Sequence, residues 1–183
     1  MRLQIPNTKT ENIIIFDIEY DGPSLVQLAF LILTNKEPNI FEVSKSVNFY
    51  LRQNHPVNHF FTKYTNITND FLSEEGIDLS VARTLVNDCL LNINTNSCVV
   101  VSHGIKNDLE LLATHGINFI DLPEHYCTYN AAKRLLKRNN NLKLQNIAED
   151  SGYYMFNAHN AYADVWGTLH AFCYLKELES ENT

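Results

Sequence analysis

The sequence predicts a three-layer α/β domain, a mixed sheet flanked by helices. Three observations carry this. Apolar runs separated by short turns fill residues 13 to 51; an irregular stretch rich in Asn, Thr, His and Phe follows from 52 to 76; and after it helically spaced segments alternate with a short, wholly apolar run. The 183 residues fit one domain, 1–183, with a sizeable core, and neither a linker nor an internal repeat divides them.

The elements follow in order. Ile13 to Tyr20, IIIFDIEY, reads as a strand buried on both faces. Asp21-Gly22-Pro23 is a turn signal, SLVQLAFLIL (24–33) a second strand, and FEVSKSVNFYL (41–51) an alternating third. Short connections of this kind imply an antiparallel meander. Residues 52–76 read as a long loop with one short helix, and loops of that length in compact domains are often functional. Leu79, Ala82, Leu85, Val86 and Leu90 have helical spacing, and CVVVSH (98–103) is a short buried strand. Helices are expected at about 106–115, 128–138, 142–151 and 160–178.

Four acidic residues stand where apolar elements should exclude them. Asp17 and Glu19 lie two apart inside the first strand, so both point to one face, roughly 6.6 Å apart along the backbone. At an effective dielectric near 20 their repulsion is about 2.5 kcal/mol, and burial adds to it. Asp108 lies beside the helical stripe of Ile105, Leu109 and Leu112, just after a strand end, and so points back to the C-terminal edge of the sheet. Asp164 sits on the margin of the buried face formed by Ala161, Val165, Thr168, Leu169 and Phe172, in a first helical turn that favours negative charge. His159 is five residues earlier. On an ideal helix it would be about 140° away and roughly 7.5 Å along the axis, so it serves the same site best from the loop before the helix.

Each carboxylate alone has a structural explanation, as an edge feature, a solvated helix charge or a first-turn stabiliser. Four together, with a His beside the last, require a common partner. Mg²⁺ or Mn²⁺ prefer carboxylate and water oxygens, and two such ions about 3.5–4 Å apart can activate a water and stabilise a leaving oxygen in phosphodiester cleavage.

The formal charge of −7 argues against a nucleic-acid partner unless metal ions supply positive charge. No apolar run precedes Ile13 and no stretch of about 18 apolar residues occurs, so the expectation is a soluble, cytoplasmic protein with no signal peptide and no membrane contact. Cys89, Cys98, Cys127 and Cys173 are scattered, without zinc-site spacing, and are expected to be reduced core thiols.

In order and spacing these residues resemble the DEDDh group of DnaQ-like exonucleases. FDIE (16–19) is similar to the first motif, SHGIKNDLELL (102–112) to the second, with His103 and Asp108 at the usual spacing, and HNAYAD (159–164) to the third, H-x-A-x-x-D. YTNITNDFL (64–72) resembles the T-G-I-T segment, and CTYNAAKRLL followed by LKLQNIAEDSGY resembles the approach to the third motif. The resemblance implies a ribonuclease-H-like fold with a five-stranded mixed sheet, and two-metal removal of nucleotides from a 3′ end. It implies that Asp17, Glu19 and Asp164 hold one ion, that Asp17 and Asp108, the latter through water, hold a second, and that His159 is the general base, a task suited to a side chain titrating near 6.5. His103 is expected either on the substrate or as a hydrogen-bonded histidine behind the ligands.

The chain departs from the pattern at Tyr20 and Asp21, where hydroxyl residues are usual, at Asn66 for Gly, at Gly104 for Asn and at Asn107 for an aromatic residue. These positions bear on nucleotide preference. The end of the chain soon after the last helix implies a free-standing nuclease without a polymerase-binding tail. Lys133, Arg134, Lys137 and Arg138 share one face of the helix expected at 128–138 and are candidates for phosphate contact, with an ordinary solvated face as the alternative. Tyr20, Ile67 and Leu72 are candidates to stack or wedge against terminal bases, and for the last two core packing is the alternative. Short or single-stranded DNA or RNA 3′ ends are the expected substrates. A silent nucleic-acid-binding or protein-interaction module of the same fold, and a dinucleotide phosphodiesterase, stay open as readings.

Overall fold

In the computed structural model, which describes residues 1–137, 140–156 and 159–182, six strands form one mixed sheet. They are β1 (Arg2–Gln4), β2 (Asn12–Asp21), β3 (Ser24–Glu37), β4 (Ile40–Tyr50), β5 (Cys98–Ser102) and β6 (Glu124–Cys127), in the spatial order β1-β4-β3-β2-β5-β6. The expected meander is present, with β2, β3 and β4 antiparallel in sequence, while β5 joins β2 in parallel and β6 joins β5 in parallel. The sixth strand beyond the expected five reflects two short edge pieces. β1 is three residues long, and β6 reads EHYC, half of it exposed, so neither carries an apolar run.

The helices are α1 (His59–Thr65), α2 (Asn69–Glu75), α3 (Leu79–Leu91), α4 (Ile105–Thr114), α5 (Thr128–Leu135), α6 (Leu144–Asp150) and α7 (Ala161–Glu181). The irregular segment thus holds two helices rather than one. Both are a turn or two long and begin at a side-chain cap: Asn58 accepts from the Phe61 N–H and Thr68 from the Phe71 N–H. Between them Asn66 takes φ 62°, a left-handed conformation that Asn tolerates where Gly is usual.

The alternation of β2 sorts its side chains to two sides. Ile14, Phe16 and Ile18 pack with Ala82, Val86, Leu109, Leu112 and Phe119 beneath α3 and α4. Ile13 and Ile15 pack with Ala161, Val165, Leu169 and Phe172 of α7. Asp17 and Glu19 continue the second set and therefore face α7. β3, buried without interruption from Leu25 to Leu33, lies between β2 and β4 and holds the sheet centre. All four cysteines are free thiols, Cys89 and Cys98 buried and Cys127 and Cys173 half-buried. Among the described residues no helix is long and apolar enough to cross a membrane.

Candidate active site

The register of β2 explains how carboxylates can occupy a buried strand. Its parallel ladder with β5 pairs Asn12 to Ile15 with Cys98 to Val101, and β5 ends at Ser102. Asp17 and Glu19 lie beyond that end, supported by β3 on one side only, where they pair with Ala29 and Gln27. A bulge follows immediately between Glu19 and Tyr20, a device that redirects a strand at sheet edges and near active sites. The outer end of β2 thus borders a cleft at the C-terminal ends of the parallel strands, the usual ligand position in open α/β sheets.

Three elements converge there. The ligand oxygens of Asp17, Glu19 and Asp164 lie within 4.8 Å of one another. Asp108 stands outside that triad, its Oδ2 accepting from the Ser102 hydroxyl at 3.1 Å. It enters from the first turn of α4, whose N-cap Gly104 has φ 93°, a conformation that favours glycine. Asp164 lies in the first turn of α7 and its Oδ2 accepts from the His159 N–H at 3.3 Å. A cavity of about 550 Å³ opens over the group, lined by Asp17, His103, Tyr129, Lys143, His159 and Asp164 among others.

These carboxyls resist ionisation in the bare protein. Burial first, then the charges of Asp164, Asp108 and Glu19, push Asp17 well above the usual carboxylate range. Burial, then Asp164 and Asp108, raise Glu19 to about 7. Burial lifts Asp108 to about 6 against the opposing Ser102 hydroxyl, and lifts Asp164 to about 6 against the His159 N–H. Asp164 Oδ1 is buried with no hydrogen-bond partner among the described residues. An all-oxygen set that repels itself and leaves one buried acceptor unsatisfied fits a hard divalent cation.

Two histidines line the cleft and are held differently. His103 is driven down to about 4 by burial and is therefore neutral. Its Nδ1 lies 2.9 Å from the hydroxyl of buried Thr128, which bonds on to the Ser102 carbonyl at 3.3 Å, and its ring meets Tyr129 edge-on. His159 occupies the loop before α7, as its spacing predicts, with φ 70° and a protonation equilibrium lowered by burial and by Lys143.

The remaining candidates are placed differently. Tyr20 is half exposed at the end of β2. Ile67 and Leu72 are instead buried with Val26, Val57 and Phe61, because the two capped helices fold their apolar sides onto β3, and they present no surface to a base. The basic segment does not form one helical face: α5 ends at Leu135, and Lys137 follows with φ 50°. Lys133 is exposed, Arg134 is paired with Glu179 of α7, and Arg138 lies outside the described residues.

Gln27 is a residue that motif reasoning missed. It is fully buried opposite Glu19; its Oε1 accepts from the Ala161 N–H at 3.1 Å, and its Nε2 donates to Asn48 Oδ1 at 2.8 Å and Asn160 Oδ1 at 3.4 Å. Asn160 in turn caps α7. Gln27 therefore clamps the start of α7, and with it Asp164, to β3, the strand paired alongside Glu19. A lone amide inside SLVQLAFLIL was the available signal.

Fold and acidic cleft together are those of an exonuclease-type domain of ribonuclease-H-like architecture. The chain belongs to the RNase T exonuclease family, whose sequence model matches residues 14–172. No curated protein matches it by sequence. Among solved structures it is similar to E. coli Exonuclease I in complex with a dT13 oligonucleotide, at 14% identity and a TM-score of 0.72 over 94% of this chain and 42% of that one. It is also similar to the nuclease domain of 3′hExo, a DEDDh family member bound to rAMP, at 16% identity and a TM-score of 0.72 over 94% of each chain. A 3′-exonuclease that recognises a histone mRNA stem-loop matches at 15% identity and 0.68, covering 93% of this chain and 83% of that one. The chain thus spans less than half of Exonuclease I and nearly all of the 3′hExo nuclease domain.

Proposed function

We propose that the chain, acting as one domain over residues 1–183, is a divalent-metal-dependent 3′-to-5′ exonuclease that releases nucleoside monophosphates from DNA or RNA. The observation that carries this reading is the triad that Asp17 and Glu19, beyond the end of β5, form with Asp164 of α7, with His159 beside it. Asp17, Glu19 and Asp164 would hold one Mg²⁺ or Mn²⁺, and Asp17 with Asp108 a second. Bound there, the cations would neutralise the carboxylates and polarise the scissile phosphate.

The chain's own residues supply the rest. Neutral His159 takes the proton of the attacking water as general base, which its lowered protonation equilibrium favours at pH 7. The cavity is of a size that encloses a small ligand, and Tyr129 and His103 on its wall contact the terminal nucleotide. Exposed Tyr20 stacks on a base. Lys133 and Lys137 would meet the phosphates leading away from the cleft; with a formal charge of −7 set against a phosphate chain, unpaired 3′ ends and short oligonucleotides are the substrates, and the cytoplasm the place of action. The similarity to nucleases solved with dT13 and with rAMP supports a strand end as ligand.

The test is digestion of 5′-labelled single-stranded DNA and RNA of equal sequence with Mg²⁺, with Mn²⁺ and with EDTA, beside Asp164→Ala. The expected result is a metal-dependent ladder shortening from the 3′ end, absent in the variant. No cleavage of either polymer would overturn the reading and shift it to dinucleotides or to a binding role.

A further inference from the structure

His159 is held by its backbone and not by its ring. Its N–H is tied to Asp164, but among the described residues neither imidazole nitrogen has a hydrogen bond, in contrast to the anchored ring of His103. What restrains the imidazole is an aromatic face. The ring of Tyr64 lies 3.7 Å from it, centroid to centroid, with the planes inclined by 33°. Tyr64 is 62% exposed on the last turn of α1, and its hydroxyl has no hydrogen bond among the described residues, so the ring alone makes the contact.

The platform beneath Tyr64 is itself fixed to the catalytic strand. Asp21, two residues beyond Glu19, accepts the Asn58 N–H at 2.8 Å and is bonded by the Asn58 amide as well, while Asn58 Oδ1 caps α1 at the Phe61 N–H. Phe61 is buried against Val26 and Ile67. The end of β2, the cap of α1 and the ring over His159 thus form one connected support.

We propose that Tyr64 is a positioning residue for His159. Resting on the reading of His159 as the base, its ring limits the rotation of the imidazole, and so governs the rate of water attack and not the affinity for the strand. A base that is free to swing spends less time in line with the reacting proton, and misplacement of that kind costs up to about 10²-fold in rate.

The experiment compares Tyr64→Leu and Tyr64→Phe in the full chain, each alone and the Leu change also in a His159→Ala background. Tyr64→Leu is expected to lower kcat about tenfold with KM within roughly twofold, and Tyr64→Phe to stay within roughly twofold of the parent in both. Because the effect runs through the imidazole, the double variant should be no slower than His159→Ala alone. Independently of turnover, the His159 ring protons of the metal-free protein should show an upfield ring-current shift that persists in Tyr64→Phe and vanishes in Tyr64→Leu. A loss confined to KM, an additive loss in the double variant, or imidazole shifts unchanged in Tyr64→Leu would each overturn the positioning role alone. Absence of any cleavage by the unaltered chain would overturn the nuclease reading, and the positioning role with it.

Discussion

The two halves of strand β2 belong to one continuous strand and have opposite purposes. Asn12 to Phe16 are buried and paired with β3 along one side, and as far as Ile15 they are paired with β5 on the other. Asp17 to Asp21 keep β3 but have run past the ladder with β5, and they carry every acidic residue of the strand. The first half stabilises the fold by burying apolar surface, while the second places like charges where they oppose it. The difference shows that the site exists where one strand outlasts its neighbour, leaving room for a ligand where a sheet would otherwise close.

Substitutions in the two halves should separate activity from stability. Asp17→Asn should abolish cleavage, by on the order of 10³-fold in kcat/KM, while raising the melting temperature of the metal-free protein, since it removes the most strongly perturbed carboxyl. A fall in melting temperature would break the comparison. Phe16→Ala, one residue earlier, should cost about 3–5 kcal/mol in denaturant unfolding, because its ring packs edge-on against Phe119 with centroids 5.5 Å apart.

Gln27→Leu tests the link between the halves and α7. It leaves the buried Ala161 N–H without its partner, at about 1–3 kcal/mol of stability, and should lower kcat about tenfold through the displaced Asp164. Kinetics unchanged beside the lost stability would reduce Gln27 to a structural role.

The smallest expected effect is on pH dependence. Glu19, Asp108 and Asp164 have folded values near 7, 6 and 6, above their ordinary values. Their protonated forms are thus favoured in the fold, and that contribution is complete below about pH 4 and lost as pH rises through 6 to 7. Melting in EDTA should therefore show a decline over this window that is shallower in Glu19→Gln, and Mg²⁺ should restore stability above pH 7. An equal slope in both proteins would remove the carboxyl cluster as the cause.

Much of this architecture was legible because burial writes strong periodic signals. The uninterrupted apolar run at 24–33 and the stripes of α4 and α7 became the central strand and the two buried helix faces with the residues anticipated. Carboxylates in the wrong context announced the site for the same reason, and Asp17, Glu19 and Asp164 come together. What escaped was short or was decided by tertiary contacts. β6 is polar because it is an edge strand, and α1 and α2 are too short for periodicity, although Asn58 and Thr68 carried the cap signal. The reach of Gln27 to α7 and the placing of Tyr64 over His159 join residues about 134 and 95 positions apart (161 − 27 and 159 − 64), distances at which no local pattern speaks.

The most direct test of the acidic end of β2 as a cation site is a calorimetric titration of the metal-free protein with Mn²⁺ at pH 7.5, run beside Asp17→Asn and Asp164→Asn. Saturable binding to the unaltered chain, accompanied by proton release from the raised carboxyls and lost in both variants, is the predicted result. Binding of equal strength in the variants, or none to the unaltered chain, would contradict it.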